Sequence, residues 1–277
     1  NQHVNPGHDL EPYVQDALDE IEYVTGPVST KWGAQRAKDG HPAPFNLRYV
    51  EIGNEDFVDH SGSYDGRFAQ FFDAIKKKYP HLECISTVGF EHVDRERVHS
   101  RRPDLVDEHH YCSVDEFLRM SPGYYEKYDR NGPKIFVGEW AAYETGFPPW
   151  NKRSEQEPAT PNFRAAIGDA VFMAAMERNS DIVVMQCYAP LFANEDYVQW
   201  SPDMVWFNNH ASWNSANYEV QKLFMTNVGD RVVPSTATGT PSLQGPITGA
   251  VGLSTWATGA AYDDVRVTDA DGNALLS

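Results

Sequence analysis

The sequence predicts an α/β protein of the (β/α)8-barrel type. Strand-like apolar runs alternate with helical patterns, which is typical of a parallel sheet with right-handed crossovers. Two of these runs, within Asn46–Asp56 and at Lys134–Trp140, end in turns that carry Glu55 and Glu139. Functional side chains at the carboxyl ends of strands are typical of this barrel. A closed barrel has eight strands and the pattern gives five, so we expect part of a barrel or an open sheet.

Each predicted element follows from its residue spacing. Apolar residues that recur every three or four positions indicate helices, and short β-branched runs that end in turn residues indicate strands. In chain order we predict a helix at Asp9–Val24, a long loop at Val28–Pro44, the strand before Glu55, a helix at Arg67–Lys78, strands at Glu83–Phe90 and Asp104–Tyr111, a short helix at Val114–Lys127, the strand at Lys134–Trp140, a helix at Asn162–Arg178 and a strand at Asp181–Tyr188.

The pattern weakens after Leu191. One further helix is predicted at Tyr218–Phe224, and from Gly229 the chain is rich in Gly, Thr, Ser and Pro. Short β-like runs at Ala250–Thr255 and Tyr262–Thr268 and a hairpin signal at Asp271-Gly272 follow. We therefore expect a catalytic barrel portion over residues 1–228 and a β-rich segment over residues 229–277 that forms a partial β-sandwich.

Composition excludes several classes of partner. The net charge of −17 argues against nucleic acid and anionic membranes, which both attract basic proteins. The sequence has no apolar run of about 18 residues, so no transmembrane helix is predicted. The three cysteines lack metal-ligand spacing and are expected to be buried free thiols. Because zinc, Walker, dinucleotide and serine-hydrolase motifs are also absent, no metal or cofactor is predicted.

Several phrases in the sequence resemble glycoside hydrolase family 51. They are GHPAPFNLRYVEIGNED, DLVDEHHY, FVGEW, YAPLFAN and YEVQKLF, and the likeness runs over about Leu10–Val228. The resemblance implies a retaining α-L-arabinofuranosidase with a (β/α)8 barrel and an attached β-sandwich. On that pattern this chain would hold barrel strands four to eight and part of the sandwich.

The resemblance implies that Glu55 is the general acid/base and Glu139 the nucleophile. Retaining hydrolysis needs two carboxyl groups about 5–5.5 Å apart, one to protonate the leaving oxygen and one to attack the anomeric carbon. Once Glu139 is bound to the sugar it no longer carries a charge beside Glu55. Glu55 can then act as a base toward water.

Six further residues are candidates for binding substrate. The resemblance implies that Asn54 contacts the sugar 2-hydroxyl and that the tyrosine of the His-x-Tyr pair is oriented toward the nucleophile. His109 and Tyr111 are two positions apart, so on a strand they face the same way. Aromatic rings and polar groups near the strand ends are candidate subsite or stacking residues. The six candidates are Asn54, His109, Tyr111, Gln186, Trp140 and Trp206.

We therefore expect an extracellular enzyme that releases terminal α-L-arabinofuranosyl residues from plant polysaccharides such as arabinoxylan and arabinan. Two alternatives remain open from the sequence. An endo-β-1,4-glucanase would use the same carboxylate pair on an open cleft, whereas a non-catalytic carbohydrate-binding protein would hold sugar without cleaving it.

Overall fold

The computed structural model describes residues 4–56, 59–88, 97–144, 161–198, 200–230, 267–268 and 274–276. The helices are α1 (Glu11–Thr25), α2 (Lys31–Lys38), α3 (Tyr64–Lys78), α4 (Val114–Met120), α5 (Phe163–Arg178) and α6 (Ala216–Thr226). The strands are β1 (Tyr49–Ile52), β2 (Glu83–Thr87), β3 (Leu105–Ser113), β4 (Lys134–Tyr143), β5 (Val183–Tyr188), β6 (Phe192–Asn194), β7 (Val205–Phe207), β8 (Ser212–Asn214), β9 (Val267–Thr268) and β10 (Ala274–Leu276).

The central feature is a sheet of five parallel strands in the order β1-β2-β3-β4-β5. Each strand pairs with the next one along the chain, which is the order that consecutive strands of a (β/α) barrel adopt. The predicted partial barrel is therefore confirmed. All five carboxyl ends lie at one edge of the sheet, and this edge carries the site described below.

The core lies between the outer face of the sheet and the helices. Next to β1 and β2, Phe68 and Ile75 of α3 are fully buried and cluster with Ile21 of α1. Next to β4, the ring of Phe172 on α5 stacks on Phe117 of α4 at 4.4 Å between centroids. Fully burying side chains of this size stabilises the fold by about 1.5–3 kcal/mol each, which fixes the strands that carry the site.

The structure corrects the prediction in three places. Residues 28–44, predicted as a loop, contain helix α2, with Thr30 as its N-cap. The predicted helix at Val114–Lys127 is α4 followed by a separate 3-10 turn at Tyr125–Lys127. The region after Leu191 contains a three-stranded sheet in the order β6-β7-β8, which was not predicted.

The chain divides into two compact units, Asn1–Tyr218 and Glu219–Ser277, with the boundary inside α6. The predicted domain division after residue 228 stays a prediction. In the second unit β9 and β10 pair antiparallel on either side of the predicted hairpin turn, and the other predicted β-like run, Ala250–Thr255, lies outside the described residues. Within the described part of the chain, no helix is long and apolar enough to cross a membrane.

Candidate active site

Glu55 lies in a strained turn at the carboxyl end of β1. Gly53 has a φ of 102° and Glu55 itself has a φ of 49°, a left-handed conformation that costs a non-glycine residue about 1–2 kcal/mol. The hydroxyl of Tyr64 on α3 donates to the Ile52 carbonyl at 2.6 Å and accepts from the Thr87 amide at 3.0 Å. These bonds tie the ends of β1 and β2 to α3 and so fix the position of the turn.

A charged brace made of Asp56, Asp59 and Arg67 stabilises the same turn. Arg67 of α3 donates to Asp56 Oδ1 at 2.5 Å and to Asp59 Oδ2 at 2.8 Å. The hydrogen bond from Arg67 holds the pKa of Asp59 well below its usual range. Asp56 Oδ2 in turn accepts from the backbone amide of Asn54 at 3.0 Å. The backbone on both sides of Glu55 is therefore held by groups outside the strand.

Strand β3 presents three polar side chains on the inner face of the sheet, namely Asp107, His109 and Tyr111. Their alternate positions place them on one side of the strand. His109 Nδ1 lies 2.9 Å from Glu55 Oε1, and its Nε2 lies 2.8 Å from Asp107 Oδ2. Tyr111 donates its hydroxyl proton to Glu139 Oε2 at 2.6 Å. The strand therefore contacts both predicted catalytic carboxylates.

Glu139 reaches the inner face through an irregularity in β4. Glu139 pairs with His109 across the sheet, after a register shift between Asp107 and His109. Gly138 donates its amide to Asp107 Oδ1 at 2.7 Å, and a Cβ at this position would lie 2.2 Å from that oxygen. Only glycine leaves room for this contact. One carboxylate oxygen each of Glu55 and Glu139 lie within 4.8 Å of one another.

The site is strongly coupled electrostatically. Burial alone would lower the pKa of His109, but hydrogen bonds with Asp107 and Glu55 and the negative charges around it raise this pKa to about 10. His109 is therefore an imidazolium at neutral pH, with both nitrogens donating. Burial and the hydrogen bond to Glu139 raise the pKa of Tyr111 far above its usual value, so Tyr111 remains a donor.

Glu55, His109 and Glu139 also have ligand atoms close enough to hold a metal ion. However, a histidine coordinates metals through a neutral ring nitrogen with a free lone pair. Both nitrogens of His109 are engaged with carboxylates, at 2.8 and 2.9 Å. The donor set therefore fits a hydrogen-bonded pair of carboxylates better than a metal centre.

The structure brings together four of the predicted site residues: Glu55, Glu139, His109 and Tyr111. Asn54 lies beside Glu55 in the turn and is exposed. Its position is compatible with the predicted contact to a sugar hydroxyl, which stays a prediction.

The structure does not place the other three candidates at the carboxylate pair. Trp140 is fully buried and packs against Phe172 at 5.3 Å between centroids, so it is a core residue rather than a stacking platform. Gln186 accepts from the Trp140 indole nitrogen at 2.7 Å. Trp206 lies in the small sheet, where its indole donates to the Asp203 carbonyl at 3.0 Å. The proposed sugar-binding roles of Gln186 and Trp206 stay predictions.

Three residues of the site were not found from the sequence. Asp107 holds His109 through its Oδ2 at 2.8 Å, and desolvation together with the neighbouring Asp107 raises the pKa of Glu51 of β1 to about 8. The Trp200 ring lies 5.8 Å from the Tyr111 ring. Asp107 could have been found from the sequence, because it lies two positions before His109 and four before Tyr111 and therefore shares their face of the strand. Of the cysteines predicted to be buried, Cys84 is buried but Cys187 is exposed.

Paired carboxylates at the carboxyl ends of barrel-type strands are typical of glycoside hydrolases. Two family models match the chain: the α-L-arabinofuranosidase 1 domain over residues 1–130 and the α-L-arabinofuranosidase C-terminal domain over residues 138–269. The chain is 50% identical over 278 aligned positions to an extracellular exo-α-L-arabinofuranosidase of Streptomyces chartreusis, covering 97% of this chain and 31% of the relative. α-L-Arabinofuranosidase 2 of Arabidopsis thaliana is 36% identical, with 83% of this chain and 32% of the relative covered.

Solved structures give the same assignment. The arabinose-bound MgGH51 α-L-arabinofuranosidase matches with a TM-score of 0.75 and 38% identity, over 83% of this chain and 36% of that one. An α-L-arabinofuranosidase of Thermotoga maritima, at 19% identity and a TM-score of 0.61 over 78% of this chain and 47% of that one, shares the fold. The chain belongs to glycoside hydrolase family 51, the α-L-arabinofuranosidases. It spans about a third of the length of the Streptomyces and Arabidopsis relatives and of the MgGH51 enzyme.

Proposed function

We propose that the protein is a retaining α-L-arabinofuranosidase in which Glu139 is the nucleophile and Glu55 the general acid/base. The observation that carries this proposal is the distance between the two carboxylates, whose nearest oxygens lie within 4.8 Å. Retaining enzymes place their carboxyl groups about 5–5.5 Å apart, while inverting enzymes need about 6.5–9.5 Å to admit a water molecule. The spacing therefore favours a covalent intermediate.

In the first half-reaction, Glu139 attacks the anomeric carbon of the sugar. The bond from that carbon to the leaving oxygen breaks, and Glu55 transfers its proton to this oxygen. Tyr111, which donates to Glu139 Oε2 at 2.6 Å, orients the attacking carboxylate. Charge-assisted hydrogen bonds of this kind are short and directional.

In the second half-reaction, Glu55 takes a proton from water, and the water oxygen attacks the anomeric carbon. The ester bond to Glu139 breaks, which releases arabinose with retained configuration and restores both carboxyl groups. Glu139 carries no charge while it is esterified, whereas the His109 imidazolium remains 2.9 Å from Glu55. This positive charge therefore lies next to the carboxyl group that acts as the base in the second step.

The names of the relatives support the proposed sugar specificity. Several relatives are named α-L-arabinofuranosidases, and the similar MgGH51 structure is described as arabinose-bound. We extend this specificity to terminal α-L-arabinofuranosyl groups of plant polysaccharides, with arabinoxylan and arabinan as substrates. The Streptomyces relative is named extracellular, and we propose that this protein is secreted as well.

The test is hydrolysis of 4-nitrophenyl α-L-arabinofuranoside by the full chain and by two variants. Glu139→Ala should lower kcat by about a thousandfold or more, because no nucleophile remains. Glu55→Ala should retain formation of the intermediate with this good leaving group and stall at hydrolysis. Added azide should then restore turnover and give an arabinosyl azide, since azide attacks the intermediate without a general base.

Glu20→Gln is the matched control, because it removes one carboxylate from an exposed position on α1. It should hydrolyse the substrate at the wild-type rate. Cleavage of a β-1,4-glucan in place of the arabinofuranoside would refute the proposed specificity and support an endo-glucanase. Sugar binding that is equal in wild type and Glu139→Ala, with no turnover of either substrate, would refute catalysis and support a carbohydrate-binding protein.

A further inference from the structure

The turn that carries Glu55 depends on contacts from outside the strand. Glu55 has a φ of 49° and Gly53 a φ of 102°. A non-glycine residue persists in this conformation only where the surrounding structure imposes it. The backbone conformation also limits the directions in which a side chain can point. Whatever imposes the turn therefore decides where the Glu55 carboxyl group lies.

The carboxylate of Asp56 supplies the contact that closes the turn. Its Oδ2 accepts from the Asn54 amide at 3.0 Å, so the residues before and after Glu55 are bonded to each other. A Cβ on Gly53 would lie 2.2 Å from the same oxygen, which shows that the carboxylate packs directly on the glycine backbone. Its Oδ1 accepts from Arg67 on α3 at 2.5 Å. Asp56 therefore connects the turn to the helix.

Arg67 is itself fixed by a second carboxylate. It donates to Asp59 Oδ2 at 2.8 Å, and its guanidinium lies 5.8 Å from the centre of the Tyr64 ring. The side chains of Arg67, Asp56 and Asp59 are only 11%, 16% and 8% exposed. Without the guanidinium, two carboxylates would stay largely out of water with no cation to balance them, which is strongly unfavourable. Arg67 therefore keeps Asp56 in the position that closes the turn.

We propose that Arg67 is a positioning residue, which holds the turn through Asp56 and thereby aims the Glu55 carboxyl group into the site. The nucleophile is held by a different group, since Tyr111 donates to Glu139 at 2.6 Å. Loss of Arg67 should therefore impair the steps in which Glu55 gives or takes a proton and spare the attack by Glu139. This catalytic effect rests on the function proposed above, whereas the hold of Arg67 on the turn does not.

The kinetics of Arg67→Ala should separate the two half-reactions. The nitrophenolate of 4-nitrophenyl α-L-arabinofuranoside leaves with little help from an acid, so kcat/KM should stay within about threefold of wild type. Hydrolysis of the intermediate needs Glu55 as a base, and kcat should fall by about 10- to 100-fold, the size expected for a misplaced catalytic group. KM should fall with kcat because the intermediate accumulates. Added azide should restore turnover and give an arabinosyl azide.

A substrate with a poor leaving group tests the acid step. Methyl α-L-arabinofuranoside needs protonation of its leaving oxygen, so Arg67→Ala should lower kcat/KM on this substrate by at least about tenfold. Arg67→Lys keeps the charge but cannot bond both carboxylates in a fixed fork, and it should show the same pattern with a smaller loss. If Arg67→Ala does not fold, as judged by its melting curve, Arg67→Lys decides the outcome.

A double variant shows whether Arg67 acts only through Glu55. Adding Arg67→Ala to Glu55→Ala should change kcat and kcat/KM by less than about twofold, because residues that act as a unit are not additive. Arg101→Ala is the matched control. Arg101 bonds both carboxylate oxygens of Asp73, farther along α3, at 2.7 and 2.6 Å. This ion pair is exposed, and its loss should leave both substrates hydrolysed at the wild-type rate.

Hydrogen exchange tests the hold on the turn without any turnover. The Asn54 amide donates to Asp56 Oδ2 at 3.0 Å, and the Asp59 amide donates to the Asp56 carbonyl at 2.9 Å. Arg67→Ala should raise the exchange rates of these two amides by at least about tenfold, because the turn opens more often. Arg101→Ala should leave both rates unchanged.

The outcomes separate the two proposals. If wild type releases no sugar but exchange rises in Arg67→Ala and not in Arg101→Ala, the function proposed above fails and the hold of Arg67 on the turn stands. Unchanged exchange in Arg67→Ala would overturn that hold. In an active enzyme, equal losses of kcat and kcat/KM on the nitrophenyl substrate without rescue by azide would overturn the positioning role. So would a loss in the double variant that adds to the loss in Glu55→Ala.

Discussion

The hydrogen bond from Tyr111 to Glu139 makes a quantitative prediction for Tyr111→Phe. This substitution removes one hydroxyl and leaves the ring, which is buried against Trp200 at 5.8 Å between centroids. A hydrogen bond to a charged group contributes about 1.5–3 kcal/mol. The Glu139 side chain is 34% exposed, and water therefore replaces part of the lost bond. We expect a loss of about 1.5–2 kcal/mol in transition-state stabilisation.

That loss corresponds to a fall of about 10- to 30-fold in kcat/KM, since each 1.36 kcal/mol is a factor of ten. The fall should appear mainly in kcat, because Tyr111 orients the nucleophile rather than holding the substrate. The assay is initial-rate hydrolysis of the nitrophenyl arabinofuranoside over a range of concentrations. Melting temperatures of both proteins show whether the variant remains folded.

Tyr188→Phe is the matched control. Its hydroxyl is also buried but has no hydrogen-bond partner among the described residues. Removing it costs little, and kcat/KM should stay within about twofold of wild type. The proposed orientation of Glu139 would be refuted if Tyr111→Phe kept full activity, or if Tyr188→Phe lost as much as Tyr111→Phe.

Two further predictions concern stability. Burial raises the pKa of Asp169 from 3.8 to about 8. Between these two pH values the unfolded state has lost a proton that the folded state keeps. This group therefore lowers the unfolding free energy by about 1.4 kcal/mol for each unit by which the pH rises. Asp169→Asn should flatten the pH dependence of the unfolding free energy, measured in urea, between pH 5 and 7, and an unchanged slope would contradict this prediction. The new amide can donate to Asn217 Oδ1, which is buried and lacks a partner in the described structure. Gly138→Ala places a Cβ 2.2 Å from Asp107 Oδ1. The variant should lose about 1–3 kcal/mol of unfolding free energy and most of the activity. If the same urea titration gave the variant the stability of wild type, the strand would be free to shift and the prediction would be wrong.

The proximity of the two candidate carboxylates and the positions of the strands could be predicted because their signals are local. Each strand is a short apolar run that ends in polar turn residues, and each catalytic candidate directly follows or ends such a run. Parallel strands bring their carboxyl ends to one edge whatever lies between them. Glu55 and Glu139 therefore meet although 84 positions separate them in the sequence (139 − 55).

The alternation of side chains between the two faces of a strand accounts for Trp140, which was assigned wrongly, and for Asp107, which was missed. Successive side chains face opposite sides of a sheet, so Trp140 had to face away from Glu139. In the structure it is fully buried on the side of α4 and α5. The same rule puts Asp107 on the face of His109 and Tyr111. Both positions could have been deduced from the sequence by comparing Trp140 with its neighbour Glu139 and Asp107 with His109 two positions on.

Helix α2 could not be predicted in this way. Its residues, KWGAQRAK, form no apolar stripe, and Gly33 lowers its helix propensity. Its stability depends on Arg36, which is fully buried and donates to four backbone carbonyls, including those of Tyr23 and Gly26. These partners lie 10 and 13 residues away on the preceding helix and its end. Such contacts leave no periodic signal in the sequence.

The charges of the site explain why a histidine lies between the two carboxylates. Before the reaction, the His109 imidazolium balances the Glu139 anion at 3.7 Å and is itself held by Asp107 at 2.8 Å. In the proposed reaction, esterification of Glu139 removes one negative charge near the imidazolium, which then faces Glu55 and Asp107. The positive charge of His109 therefore lies beside Glu55 in the step in which we propose that this residue takes a proton from water.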